Sequence, residues 1–151
     1  MKDQNELEKY KKSAKKLTLF GAVLLSITTL LSVLQVVYLI ALRNTDLSKI
    51  KELTDEQAAN IKSSVTNSTI LFFGAVALVY LLFTVCMYVF SSRIKKDLKI
   101  SVIPYYGAIV LVMYSFLQSA LAVNLFNAVL YLITGVVTGI ALVFVYQVRK
   151  M

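Results

Sequence analysis

The chain has no histidine, no tryptophan, one cysteine and one proline. Without histidine there is no imidazole general base and no imidazole metal ligand. The lone Cys86 excludes an intrachain disulfide framework, a dithiol redox pair and a cysteine-rich metal site. Inside an apolar run it is expected to pack as a small hydrophobe. All eight acidic residues lie outside the long apolar runs. That removes paired-carboxylate intramembrane proteolysis and carboxylate-coupled proton transport. No glycine-rich phosphate loop is present. A serine or threonine nucleophile within a membrane would need a base, and Lys and Arg occur only at the edges of the apolar runs. No catalytic residue, cofactor or metal is expected.

What the chain has instead is apolar length. Hydrophobic residues make up 58% of its 151 positions, and the mean hydropathy is +0.74, beyond what a soluble domain carries. From Ile100 to Val148 there is no charged residue; Lys99 precedes the run and Arg149 follows it. As one helix this stretch would extend roughly 73 Å at ~1.5 Å per residue. A bilayer core is ~30 Å thick and takes about 20 residues to cross. The run therefore fits two crossings, with the turn expected at Ala122–Asn127, where Asn124 and Asn127 interrupt the apolar text.

The expected fold is an all-α integral membrane protein, a four-transmembrane-helix bundle forming one domain. Residues 1–16 form a basic amphipathic tail, with Leu7, Tyr10, Ala14 and Leu17 on one helix face. The first span is 17–42, too long for a signal-peptide core and followed by no A-x-A site. A loop follows at 43–68, where Thr54-Asp55-Glu56-Gln57 predicts a capping box and a short helix. The second span is 69–91, a basic turn occupies 92–100, and the third span is 101–123, with Pro104 in its first turn. After the turn at 124–127 the fourth span runs over 127–148.

The formal charge of +8 is placed accordingly. The tail carries six Lys against three acids, and the 92–100 turn four basic residues against Asp97. Arg149 and Lys150 end the chain, while the 43–68 loop balances four basic residues with four acidic ones. This distribution predicts a positive-inside arrangement rather than a nucleic-acid surface. Both termini and the 92–100 turn are expected in the cytoplasm, against the anionic headgroups of that leaflet. The predominance of Lys over Arg suggests a bacterial cytoplasmic membrane.

Small residues mark the expected helix-packing faces. Gly21, Leu25, Thr28, Ser32 and Gln35 form a stripe on the first span. Gly74, Ala77, Leu81, Thr84, Tyr88 and Ser91 form a seam on the second. The third span has Ala108, Ser115, Ser119 and Ala122, and the fourth has Gly135-x-x-x-Gly139 with Ala128 one heptad earlier. A tight third-to-fourth pair through Gly135 and Gly139 is expected. Gln35, Gln118, Tyr131 and Thr134 fall at similar depth in the outer half. Since lipid cannot hydrogen-bond them, they are expected to face inward and pair, either as interhelical bonds or as the lining of a small polar pocket. Tyr80 and Tyr114 are expected to add their hydroxyls to the same interior.

With no catalytic groups, these features point to an accessory, regulatory or immunity-type subunit. It would pack against another membrane protein or a second copy of itself. The alternative is a small oligomeric transporter or channel lined by the polar cluster.

Overall fold

The computed structural model describes residues 2–50, 53–96 and 99–150. These residues form five helices joined by short connections, with no strand among them. Four helices are long and apolar enough to cross a membrane. The first, α1 (Lys2–Asn44), is one unbroken helix of 43 residues, about 65 Å long at ~1.5 Å per residue. The basic tail and the first span are thus parts of one rod. No proline interrupts it, and Gly21 is its only glycine.

A single 3-10 turn at Leu47–Lys49 leads to α2 (Asp55–Ser64). Here the capping box forms. The Gln57 backbone N–H donates to the Thr54 hydroxyl, and the Thr54 N–H donates to the Gln57 amide oxygen. Helix α3 (Asn67–Lys95) begins two residues beyond α2. Thr66 caps it by accepting the Thr69 N–H at 3.1 Å.

Helices α4 (Ile103–Leu121) and α5 (Leu125–Lys150) form the hairpin. Pro104 sits in the first turn of α4, where its missing N–H is no loss. The turn is tighter than the sequence suggests, because Asn127 already belongs to α5. The Val123 N–H donates to Ala120 O and the Asn124 N–H to Ser119 O, the paired bonds of a Schellman motif. Val123 holds the left-handed position, with φ at +56°. The Asn124 side-chain oxygen then accepts the Asn127 N–H at 3.2 Å, opening α5 as an N-cap.

The chain divides into two compact units, with boundaries inside α1 and α3. The first unit comprises residues 1–28 and 80–151, and the second residues 29–79. In the first unit, segments of α1 and α3 pack with α4 and α5 as four helices around a shared interior. The second unit holds the rest of α1 and α3 and the connection between them. There Leu47 and Ala58 are buried and α2 lies on the 3-10 turn.

Candidate functional site

Burial along the helices follows steps of three and four, the seam that lets helices interdigitate at shallow crossing angles. On α5 the buried residues are Ala128, Tyr131, Thr134, Thr138, Ala141 and Val145. On α4 they are Tyr105, Ala108, Val112 and Ser115. The two helices lie against one another along these lines. Threonine suits such a seam because its hydroxyl folds back onto its own helix. Thr134 donates to Leu130 O at 2.8 Å and Thr138 to Thr134 O at 2.7 Å. What they offer a neighbouring helix is a small side chain with its donor already used.

The seam of α3 is Ala77, Tyr80, Thr84, Met87, Ser91 and Ile94. It keeps three of the small residues singled out in the sequence. Tyr80 and Met87 take the places expected for Leu81 and Tyr88, which are exposed. Met87 fills the space over Gly21, where an added Cβ would lie 3.3 Å from its Cε. Phe83 likewise covers Gly107, leaving 2.5 Å between an added Cβ and the ring. Gly107 belongs to no small-residue motif in the sequence, so only its neighbour across the interface reveals its role.

Large buried side chains bring hydroxyls that need partners, and each finds one. The Tyr80 hydroxyl donates to Ser115 Oγ at 2.6 Å, and its ring stacks on Tyr131 with centroids 6.3 Å apart. Tyr105 and Thr18 share a 2.9 Å hydrogen bond, while the Tyr105 ring stacks on Phe90. Ser26 donates to Ala22 O and lies 3.1 Å from the Tyr88 hydroxyl. Among the described residues no buried side-chain nitrogen or oxygen lacks a partner. Phenol–hydroxyl pairs thus tie helices of the first unit to one another.

The residues singled out in the sequence fall in different settings. Tyr131 and Thr134 are buried in the α5 seam, and Ala108 and Ser115 in that of α4. Gly21 is buried. Gly135 lies beside Val112, with 3.5 Å available to an added Cβ. Gly139 and Gly74 both have open space around them, and Ser119 is half-buried. The stripe on α1 is buried at Gly21, Leu25, Thr28 and Ser32 and emerges at Gln35, which is exposed. Gln118 is exposed too; its amide donates to the Tyr114 hydroxyl one turn back on the same helix at 2.9 Å. Tyr114 is itself 40% exposed.

At the charged end of the first unit the helices separate into clefts. One, of about 480 Å³, is lined by Lys11, Lys99 and Arg149 with Leu7, Ile94 and Val148 among its apolar walls. A second, of about 570 Å³, shares Lys99 and Arg149 and adds Arg93 beside Phe90 and Ile103. The sequence marks these cations as topological signals; their convergence from four parts of the chain becomes visible only in three dimensions. Compared with protein-family models, curated proteins and solved structures, the chain matches none.

Proposed function

We propose that this chain is a multi-pass protein of the cell membrane, with both termini cytoplasmic. It acts by packing against another membrane protein as an accessory, regulatory or immunity-type subunit. The observation that carries this reading is the contrast between buried and exposed polar groups. Among the described residues the buried ones have partners within the chain, and two of these bonds, Tyr80–Ser115 and Thr18–Tyr105, join helices. The Gln35 amide, seven residues before Leu42 in the first span, is exposed between the exposed apolar residues Leu34 and Val37. An amide has two donors and an acceptor, and hydrocarbon satisfies neither. A helix from another protein, presenting a backbone or side-chain partner, resolves that mismatch. The charge distribution supports the orientation.

A photo-crosslinking residue at Gln35, compared with one at Leu30 on another face of α1, tests the reading in native membranes. The expected result is one discrete protein adduct from position 35 and lipid adducts from position 30. Lipid alone at both positions, or crosslinking only to a second copy of this chain, overturns it. So does solute or ion flux through liposomes containing only the purified protein. Orientation is tested separately in a Cys86→Ser background. A cysteine at Gln57 should react with an impermeant maleimide in intact cells, and one at Ser92 should not.

A further inference from the structure

The five most exposed large apolar side chains among the described residues are Leu121, Val123, Phe126, Ile103 and Leu125, at 73–85%. Four of them crowd residues 121–126, which close the α4–α5 hairpin, and Ile103 opens α4 at its other end. Water is a poor neighbour for such a cluster, so something covers it.

Continuity is the first guide to what that is. Ile103, Tyr106, Val110, Met113, Leu117 and Leu121 are exposed along one face of α4, at the steps of three and four that join one helix face. The exposed apolar surface runs on over Val123 and Leu125 to Val129 and Val136 of α5. No charged residue interrupts it.

Length is the second. Leu121 stands eighteen residues beyond Ile103, about 27 Å of helix at ~1.5 Å per residue. The hydrocarbon core is ~30 Å thick. Both exposed ends of α4 therefore fit inside one core. The turn follows Leu121 at once and α5 begins at Leu125, so no further helix lifts the tip into water.

The polar groups of the turn set its level. The Ala122, Val123 and Asn124 N–H groups donate to carbonyls of α4. The Asn127 and Ala128 N–H groups donate to Asn124. Backbone bonded in this way tolerates scarce water, which an open loop does not. The exposed Asn124 side chain also brings an NH₂ donor, and lipid ester carbonyls at the edge of the hydrocarbon can accept from it.

We infer that the hairpin tip, residues 121–126, is a lipid-binding surface. Val123, Leu125 and Phe126 lie among the acyl chains of the leaflet opposite the charged end of the hairpin, with Asn124 at the ester groups. This rests on the membrane placement proposed above, but not on the partner or on the orientation of the termini. A partner then meets α4 and α5 from within the bilayer and not from the water beyond the tip.

The chain has no tryptophan, so a single introduced indole reports its own surroundings. Phe126→Trp, a conservative change at an exposed site, is compared with Leu117→Trp on the exposed face of α4 and Asn60→Trp, exposed on α2. The full-length variants are placed in phosphatidylcholine nanodiscs, which open both leaflets to water and make orientation irrelevant. Lipid brominated in its acyl chains near the ester should quench Phe126→Trp and Leu117→Trp about twofold or more. Aqueous acrylamide should quench Asn60→Trp about threefold more strongly than either. If Phe126→Trp responds to acrylamide like Asn60→Trp while Leu117→Trp keeps its bromine quenching, the inference alone is overturned. Loss of bromine quenching at both positions overturns the membrane placement with it. Shielding of Phe126→Trp from acrylamide without bromine quenching shows a second copy covering the tip and also overturns the inference. Val123→Cys in the Cys86→Ser background gives an independent reading, because the thiolate that attacks a maleimide forms in water. It should react about tenfold more slowly than Asn60→Cys in the same nanodiscs; equal rates overturn the inference.

Discussion

Gly21 and Gly139 are both glycines in long apolar helices, and only one of them is needed for space. Gly21 lies under Met87 and beside Thr138, which a Cβ added there would approach to 3.3 Å and 3.5 Å. Gly139 belongs to the G-x-x-x-G pattern, the motif most often read as a packing face, and nothing lies within 4 Å of its missing Cβ. The seam of α5 passes through Thr138 and leaves Gly139 at its edge. Spacing along one helix says which residues share a face. Whether that face meets another helix depends on what the other helix contributes: here a methionine over Gly21 and open space beside Gly139.

The sharpest way to break this comparison is to enlarge both positions. Gly21→Leu forces Met87 and Thr138 aside in a packed interior, where overpacking costs ~1–3 kcal/mol or more. The expected result is a clear fall in melting temperature in detergent. Gly139→Leu should stay within about 0.5 kcal/mol of the parent. Equal losses would mean that the α5 face around Gly139 is packed after all. A Gly139→Leu variant that is stable in detergent but inactive in cells would place another chain on that face.

The next effect concerns how the interior is tied. Tyr80→Phe and Ser115→Ala each remove one partner of a buried hydrogen bond and should each cost roughly 0.6 to 2 kcal/mol. The double variant should cost less than the sum, since no unpaired hydroxyl remains. Tyr114→Phe, at an exposed phenol bonded to Gln118 on the same helix, should cost less than either. Additive losses at Tyr80 and Ser115 would mean that their 2.6 Å contact contributes little.

The smallest effect is expected where the chain lacks a glycine that its backbone favours. Val123 is β-branched, 77% exposed and left-handed. That conformation costs an L-residue about 1–2 kcal/mol, partly offset on substitution by the greater freedom of glycine when unfolded. Val123→Gly should therefore stabilise the protein by about 0.5 kcal/mol, read as a small rise in melting temperature. Loss of stability would mean that the valine side chain does more than its exposure suggests. Gly21 and Val123 then mark two separate demands, one for volume and one for backbone shape.

The spans, the capping box at Thr54 and the site of the α4–α5 turn were legible because each rests on local chemistry. Charge-free length sets the spans, the Thr54 hydroxyl and Gln57 amide set the start of α2, and Asn124 sets the turn. The rotation of each helix was harder to read. In a soluble helix the polar face declares itself, but here lipid-facing Leu81 and interior Met87 are both apolar. Small residues were the available guide on this helix, and they located Ala77, Thr84 and Ser91; Tyr80, expected inside for its hydroxyl, is indeed buried and bonded to Ser115 on another helix, whereas Tyr114 is exposed. Tyr105 is fully buried, and Thr18 supplies its hydroxyl with a partner. Such pairings join residues far apart in sequence, so no spacing rule anticipates them. The basic cleft was hidden for the same reason.

The closed turn at Ala122–Asn124 also bears on how the chain enters a bilayer. Its N–H groups at Ala122, Val123 and Asn124 are all bonded to carbonyls of α4, and its tip carries no charge. The opposite end of the same hairpin carries Lys99, Arg149 and Lys150. Threading the hairpin tip-first moves no charged side chain through hydrocarbon. Threading it the other way would take three cations across, at about 2.5–3.5 kcal/mol each by insertion measurements. The connection between α1 and α3 has no such advantage, since residues 43–68 hold eight charged side chains. The two connections thus differ in kind: the α4–α5 turn is closed and uncharged, and the α1–α3 connection is rich in charge.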